Sequence, residues 1–104
     1  MSEWFKTIPT IGVAVGSVPY YVVVLESVAG KQVTQELRQS HLSYLASLKE
    51  RGVLLVSGRF TDGSGGLYIV SAEGIEEAKR IASSDPYVLH GVRISQVKEW
   101  DRVY

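Results

Sequence analysis

A chain of 104 residues is the usual size for one domain, and its 45% hydrophobic content is that of a globular protein, not a disordered or fibrous one. Lysine plus arginine and aspartate plus glutamate each number 11, and neither sign clusters, so the basic footprint of a nucleic-acid binder is missing. Cysteine is absent, which rules out disulfides, thiolate nucleophiles and cysteine-ligated metals and fits a reducing compartment, the cytoplasm by default.

Residues 1–19 read as an extension ahead of a domain over 20–104. The extension carries Glu3 beside Lys6, and its apolar stretch from Ile11 to Val15 is too short for a signal-peptide core or a membrane span, so neither export nor membrane association is expected. Tyr20 to Glu26 is an unbroken aromatic and β-branched run, the first predicted strand, and the chain turns at Gly30. From Val33 to Arg51, Leu37, Leu42, Tyr44, Leu45 and Leu48 recur with the spacing of one helical face. Thr34 is placed to cap that helix, and Gly52 to end it in the left-handed conformation.

Val53–Phe60 and Leu67–Ser71 are strand runs joined by Thr61–Gly66, a stretch of turn formers, so a hairpin is expected. Ile75, Ala78, Ile81 and Ala82 make a second apolar helix face, with Glu73, Glu76 and Glu77 early and Lys79 and Arg80 late, as the helix dipole favours. Asp85-Pro86 stops that helix, and Val92–Trp100 alternates as a fourth strand. The order βαββαβ predicts an α+β, ferredoxin-like domain: a four-stranded antiparallel sheet with both helices on one face.

One face of such a sheet is left without helices, and water there calls for polar residues at alternate positions. The first two strands carry apolar residues at both parities: Tyr20, Val22 and Val24 against Tyr21, Val23 and Leu25, then Val53 and Leu55 against Leu54 and Val56. A second copy packed sheet to sheet would cover the surplus, giving a homodimer or higher homo-oligomer. The extension, where Ile11, Val13 and Val15 alternate with small residues, is the other candidate cover.

His41 lies four residues after Leu37 and four before Leu45, on the inward stripe of its helix, where it is either a core histidine bonded to a backbone carbonyl or a functional group. Asp85 alone is a turn residue. Because a split βαβ fold puts both helices on one sheet face, the two can meet, and a carboxylate against an imidazole fixes its tautomer and orientation, making a general base that works near neutral pH. His90 is the only other histidine, and no His/Asp/Glu cluster has ligand spacing, so neither a metal nor another cofactor is expected. The glycines of Thr61–Gly66 can bring backbone N–H groups close to a ligand, though the stretch lacks the Gly-Lys-Ser/Thr of a P-loop.

Arg38-Gln39-Ser40-His41-Leu42, Leu48–Leu54, Gly58, Phe60, Asp62-Gly63-Ser64-Gly65-Gly66 and Asp85-Pro86-Tyr87-Val88 together resemble the pattern of the YCII family, over about Tyr20 to Trp100. That family is similar in fold to muconolactone isomerases and other dimeric α/β barrels. The resemblance implies a catalytic pair of His41 and Asp85; the residues expected toward a small-molecule substrate beside them are Arg38, the loop residues Asp62, Ser64 and Gly65, and Tyr87. It further implies proton-transfer chemistry of a lyase, isomerase or dehydrochlorinase kind. A non-catalytic ligand-binding or oligomer-forming module and an oxygenase-like dimeric α/β barrel, with or without haem, are the alternatives. Arg59 stands where the family more often has proline, and reads either as a solvated strand residue or as a cation that favours an anionic substrate.

Overall fold

The computed structural model describes residues 19–104, and the Ile11-to-Val15 alternation lies outside the described residues. The elements are β1 (Tyr20–Ser27), α1 (Gln35–Glu50), β2 (Leu54–Arg59), β3 (Gly65–Ser71), α2 (Ile75–Ser83), α3 (Pro86–Leu89) and β4 (Arg93–Trp100). The strands form one antiparallel sheet in the order β2-β3-β1-β4, the ferredoxin-like arrangement expected from the element order. Among the described residues no helix is long and apolar enough to cross a membrane.

Tyr21, Val23 and Leu25 of β1 and Tyr68 and Val70 of β3 point toward the helices and are buried with Leu45 and Leu48 of α1 and Ala78 and Ala82 of α2. The small alanines let α2 approach the sheet closely, and the leucines of α1 fill the wider space beside them. Thr34 caps α1 by accepting from the Leu37 N–H, a contact that typically stabilises a helix by about 1 kcal/mol. Gly52 follows the C-cap with φ 75°, the left-handed position that suits glycine. Tyr44 crosses from α1 to α2, donating its hydroxyl to the Ile81 carbonyl. That bond sets the two helices against each other just ahead of Asp85.

The opposite face stays partly open, with Val56, Ile94 and Trp100 exposed there and Val22 and Val24 half-buried. Val56 pairs with Ile69, but a register shift between Leu54 and Val56 sets Leu55 outside the ladder. The strict alternation read for Val53 to Val56 therefore fails at one residue, because a bulge offsets the parity.

The hairpin loop is shorter than its composition suggests. Gly65 and Gly66 are buried residues of β3, paired with Glu26 and Leu25 of β1. At Gly65, φ is 142°, and a Cβ there would collide with the Leu25 carbonyl. Only glycine fits where these two backbones pass. Gly65→Val should accordingly lower stability by about 3 kcal/mol or more, read as a fall in the urea midpoint; an unchanged midpoint would contradict this packing.

Candidate active site

Asp85 is fully buried, which for a carboxylate demands a complete set of partners. Its position follows from local chain chemistry. Pro86 cannot continue α2, but at the first turn of a new helix its missing N–H costs nothing, so Asp85 becomes the N-cap of α3. Its Oδ1 accepts from the Tyr87 N–H at 2.9 Å in that role. The same oxygen lies 2.9 Å from His41 Nδ1, and Oδ2 accepts from the Tyr68 hydroxyl at 3.1 Å. A backbone amide, an imidazole and a phenol thus converge on one carboxylate from α3, α1 and β3.

This arrangement decides the state of the imidazole. A carboxylate only accepts, so the Nδ1 facing it carries the proton, and the lone pair of the neutral ring sits on Nε2. The ring plane is held as well: His41 stacks on Tyr87 with centroids 3.9 Å apart and planes 6° from parallel. The Arg93 guanidinium carbon lies 5.3 Å from the Tyr87 ring centroid, a cation–π contact. His41 keeps 12% of its side chain accessible, whereas Asp85 keeps none. The pair therefore has a wet member and a dry one.

Burial, followed by the charge of Asp85 and the hydrogen bond to it, pushes the Tyr68 phenol well above the ordinary tyrosine value. Tyr68 consequently remains a donor to Asp85 throughout the neutral range. Burial raises Tyr87 too, against the opposing pull of Arg38 and Arg93, which shows both guanidinium charges acting on that ring's hydroxyl.

The accessible edge of His41 opens on a cavity of about 400 Å³ between α1 and the sheet. Its apolar wall includes Leu25, Leu42, Leu45, Phe60 and Leu67, and its polar wall includes His41, Tyr68, Tyr87, Arg38, Arg59 and Arg93. Leu42, expected on the core stripe of α1, is 41% exposed because it faces this space. Among the described residues no aspartate or glutamate lines the cavity. The floor exists because Gly66 places no side chain on the helix-facing row between Leu25 and Arg59.

Of the residues expected from the sequence to meet a substrate, Arg38, Gly65 and Tyr87 line this cavity with His41. Asp62 and Ser64 do not. The Asp62 carboxylate accepts from the Ser64 N–H within the turn, and the Ser64 hydroxyl and amide hold it below the usual carboxylate range. Ser64 lines a separate depression with Ile94 and Gln96, and its carbonyl accepts from the Ser27 N–H. Arg59, exposed on β2, turns out also to line the cavity. Tyr68 and Arg93 were not singled out in the sequence. For Tyr68 a signal existed, since a tyrosine at the parity of Val70 in a buried strand needs a buried acceptor for its hydroxyl.

Fold and site together define a ferredoxin-like α+β domain that carries a His–Asp pair at the wall of a ligand-sized cavity. The model of the YCII-related domain matches residues 19–101, and the chain belongs to this family. It is 31% identical over 80 residues to the uncharacterized protein YjpA of Bacillus subtilis (strain 168), an alignment that covers 77% of this chain and 94% of that protein. Among solved structures it is similar to the 5-chloro-2-hydroxyhydroquinone dehydrochlorinase TftG of Burkholderia phenoliruptrix AC1100 in complex with 2,5-dihydroxybenzoquinone. The TM-score is 0.68 at 24% identity, with 79% of this chain and 93% of that one covered. At that identity the likeness is one of fold.

Proposed function

We propose that this protein is a cytoplasmic small-molecule enzyme in which His41 moves a proton on a cyclic or phenolic compound, by elimination or double-bond shift, with Asp85 as its positioning partner. The observation that carries the reading is the 2.9 Å contact between His41 Nδ1 and a fully buried carboxylate, beside a cavity that no carboxylate among the described residues lines. A base so held is oriented before substrate arrives, which is where general acid–base catalysis gains its efficiency.

In the elimination form, Nε2 takes a proton from a ring C–H or O–H, and the electron pair released enters the ring. A leaving group such as chloride departs with its bonding pair from a tetrahedral ring carbon, which on a chlorinated hydroquinone forms first by ketonisation, a proton moving from a phenolic oxygen to the carbon that bears chlorine. In the isomerisation form the same nitrogen returns the proton to a different carbon. The imidazolium that forms is paired with Asp85, and Arg38 and Arg93 supply positive charge for an oxygen that becomes negative. The dehydrochlorinase of similar fold performs chemistry of this kind on a hydroxylated ring, which supports the reading without deciding the substrate.

The test is incubation with chlorinated hydroxyhydroquinones and with cyclic enol lactones in D2O, following chloride release and deuterium entering ring carbons. Release or exchange above the protein-free rate is expected for at least one class. Binding without either would favour a ligand-binding module instead.

The reading includes a homodimer through the helix-free sheet face, supported by the exposure of Val56, Ile94 and Trp100. Light scattering at micromolar concentration should give twice the chain mass or a multiple of it, and a monomer would refute this part.

A further inference from the structure

The family pattern calls for a histidine and an aspartate at this site. It includes Arg38 beside them, but it does not account for Arg59 or Arg93. Three arginines line the cavity and come from three different elements: Arg38 from α1, Arg59 from the end of β2 and Arg93 from the start of β4. The chain as a whole has equal numbers of the two signs, yet among the described residues no acidic side chain lines this space. Their placement is specific. β2 and β4 are the two edge strands, so the backbones of Arg59 and Arg93 stand three strand spacings apart across the sheet and two residues apart along it, roughly 16 Å in all.

Both belong to the helix-facing rows. Arg59 pairs with Gly66, which pairs with Leu25, and Arg93 pairs with Ser27 two residues along β1. Both residues line the one cavity, Arg59 from one edge of the sheet and Arg93 from the other. Arg93 lies over the Tyr87 ring on which His41 stacks, and Arg38 precedes His41 by one turn, so these two cations mark the His41 end of the cavity. Arg59, beside Phe60, marks the other.

We infer that the cavity selects a planar ring bearing anionic oxygens at opposite edges, one read by Arg38 and Arg93 and the other by Arg59, with the ring between Phe60 and the leucines and within reach of His41. The inference rests on the proton-transfer reading only in taking this cavity as the ligand site. Guanidinium groups suit such oxygens because they stay charged and donate in a fixed planar fork. Arg59 is then the specificity-determining residue, since replacing it removes one of the two anion sites and leaves the His41–Asp85 pair untouched.

The probe is 2,5-dihydroxybenzoquinone, a vinylogous acid that ionises at opposite ring edges, compared with 2,5-dimethoxybenzoquinone, which has the same ring and no charge. Calorimetric titration of the full chain should show the ionised quinone binding at least about tenfold more tightly than the dimethoxy compound. Arg59→Gln should weaken the ionised quinone by about tenfold, Arg59→Lys should restore most of that loss, and neither should alter affinity for the neutral quinone. Equal affinity for the two quinones, no binding of either, or an Arg59→Gln chain that binds the ionised quinone as well as the native one would each overturn the inference. The ring resonances of His41, followed in the same titration, separate the two readings. If they shift on quinone binding to native and Arg59→Gln chains alike with unchanged affinity, anion selection by Arg59 falls while the His41 site stands.

Discussion

His41→Gln should reduce substrate-dependent proton exchange or chloride release by about 10²–10⁴-fold, the usual contribution of a positioned general base. Glutamine is the informative replacement because its amide N–H can still donate to Asp85 Oδ1, which keeps the buried carboxylate partnered, while the side chain cannot hold a proton. The urea midpoint should therefore move little. A variant that retains more than about a tenth of the native rate would show that His41 is not the base; one that loses rate and unfolds together would leave its role structural.

Asp85→Ala should have the largest effect on folding. Three donors lose their acceptor at once: His41 Nδ1–H, the Tyr87 N–H and the Tyr68 hydroxyl, the last two in buried residues. The loss is about 3–5 kcal/mol, a large share of the roughly 5–15 kcal/mol that holds a domain of this size together. Urea titration of the Ala variant should show most of the native stability gone. Asp85→Asn is expected to behave differently, because the Tyr87 N–H holds the remaining amide oxygen at the Oδ1 position, where it can still accept from His41. The fold and the tautomer then survive, with the amide nitrogen donating to the Tyr68 hydroxyl, which turns from donor to acceptor, and the charge that stabilises the imidazolium is lost. A rate reduction of roughly 10–100-fold with a near-native urea midpoint should result, the value of a hydrogen bond to a charged group. If Ala and Asn prove equally stable, the three-donor arrangement around Asp85 is wrong.

Much of this was legible in the sequence because the determining signals are local. The 3.6-residue spacing of Leu37, His41, Leu45 and Leu48 fixes which side of α1 faces the sheet, and Thr34 and Gly52 fix where it starts and stops. The order of elements then brings α1 and the end of α2 onto one sheet face, so His41 and Asp85 could be paired before any coordinates. Asp85 was legible twice over: as a residue that ends α2, and as a partner for the histidine. In the structure one carboxylate does both, capping α3 with the oxygen that faces Nδ1.

What escaped depends on pairing across the sheet. Gly65 and Gly66 have the composition of a loop, yet they are strand residues because β1 and β3 pass too close there for any side chain. Arg59 and Arg93 lie 34 positions apart, and only the strand order β2-β3-β1-β4 places them at the two edges of one cavity. Asp62 and Ser64 were read toward the substrate from their nearness to glycine, but their hydrogen bond is a local turn contact that shapes the hairpin. α3 was missed because its four residues are too few to show a period; the Asp-Pro cap is its only local mark.

The most direct test of the central claim, a His41 imidazole held by Asp85 with its Nε2 free to act as base, is a long-range 1H–15N correlation spectrum of the side-chain imidazoles at a pH where both histidines are neutral. The geometry requires Nδ1 of His41 to appear as the protonated nitrogen and Nε2 as the bare one, with the Nδ1–H proton shifted far downfield by its carboxylate partner. His90, exposed at the end of α3, gives the reference for an unconstrained ring. A His41 spectrum with the proton on Nε2, or one indistinguishable from that of His90, would mean that the carboxylate does not hold the ring and that proton transfer at this site has no basis.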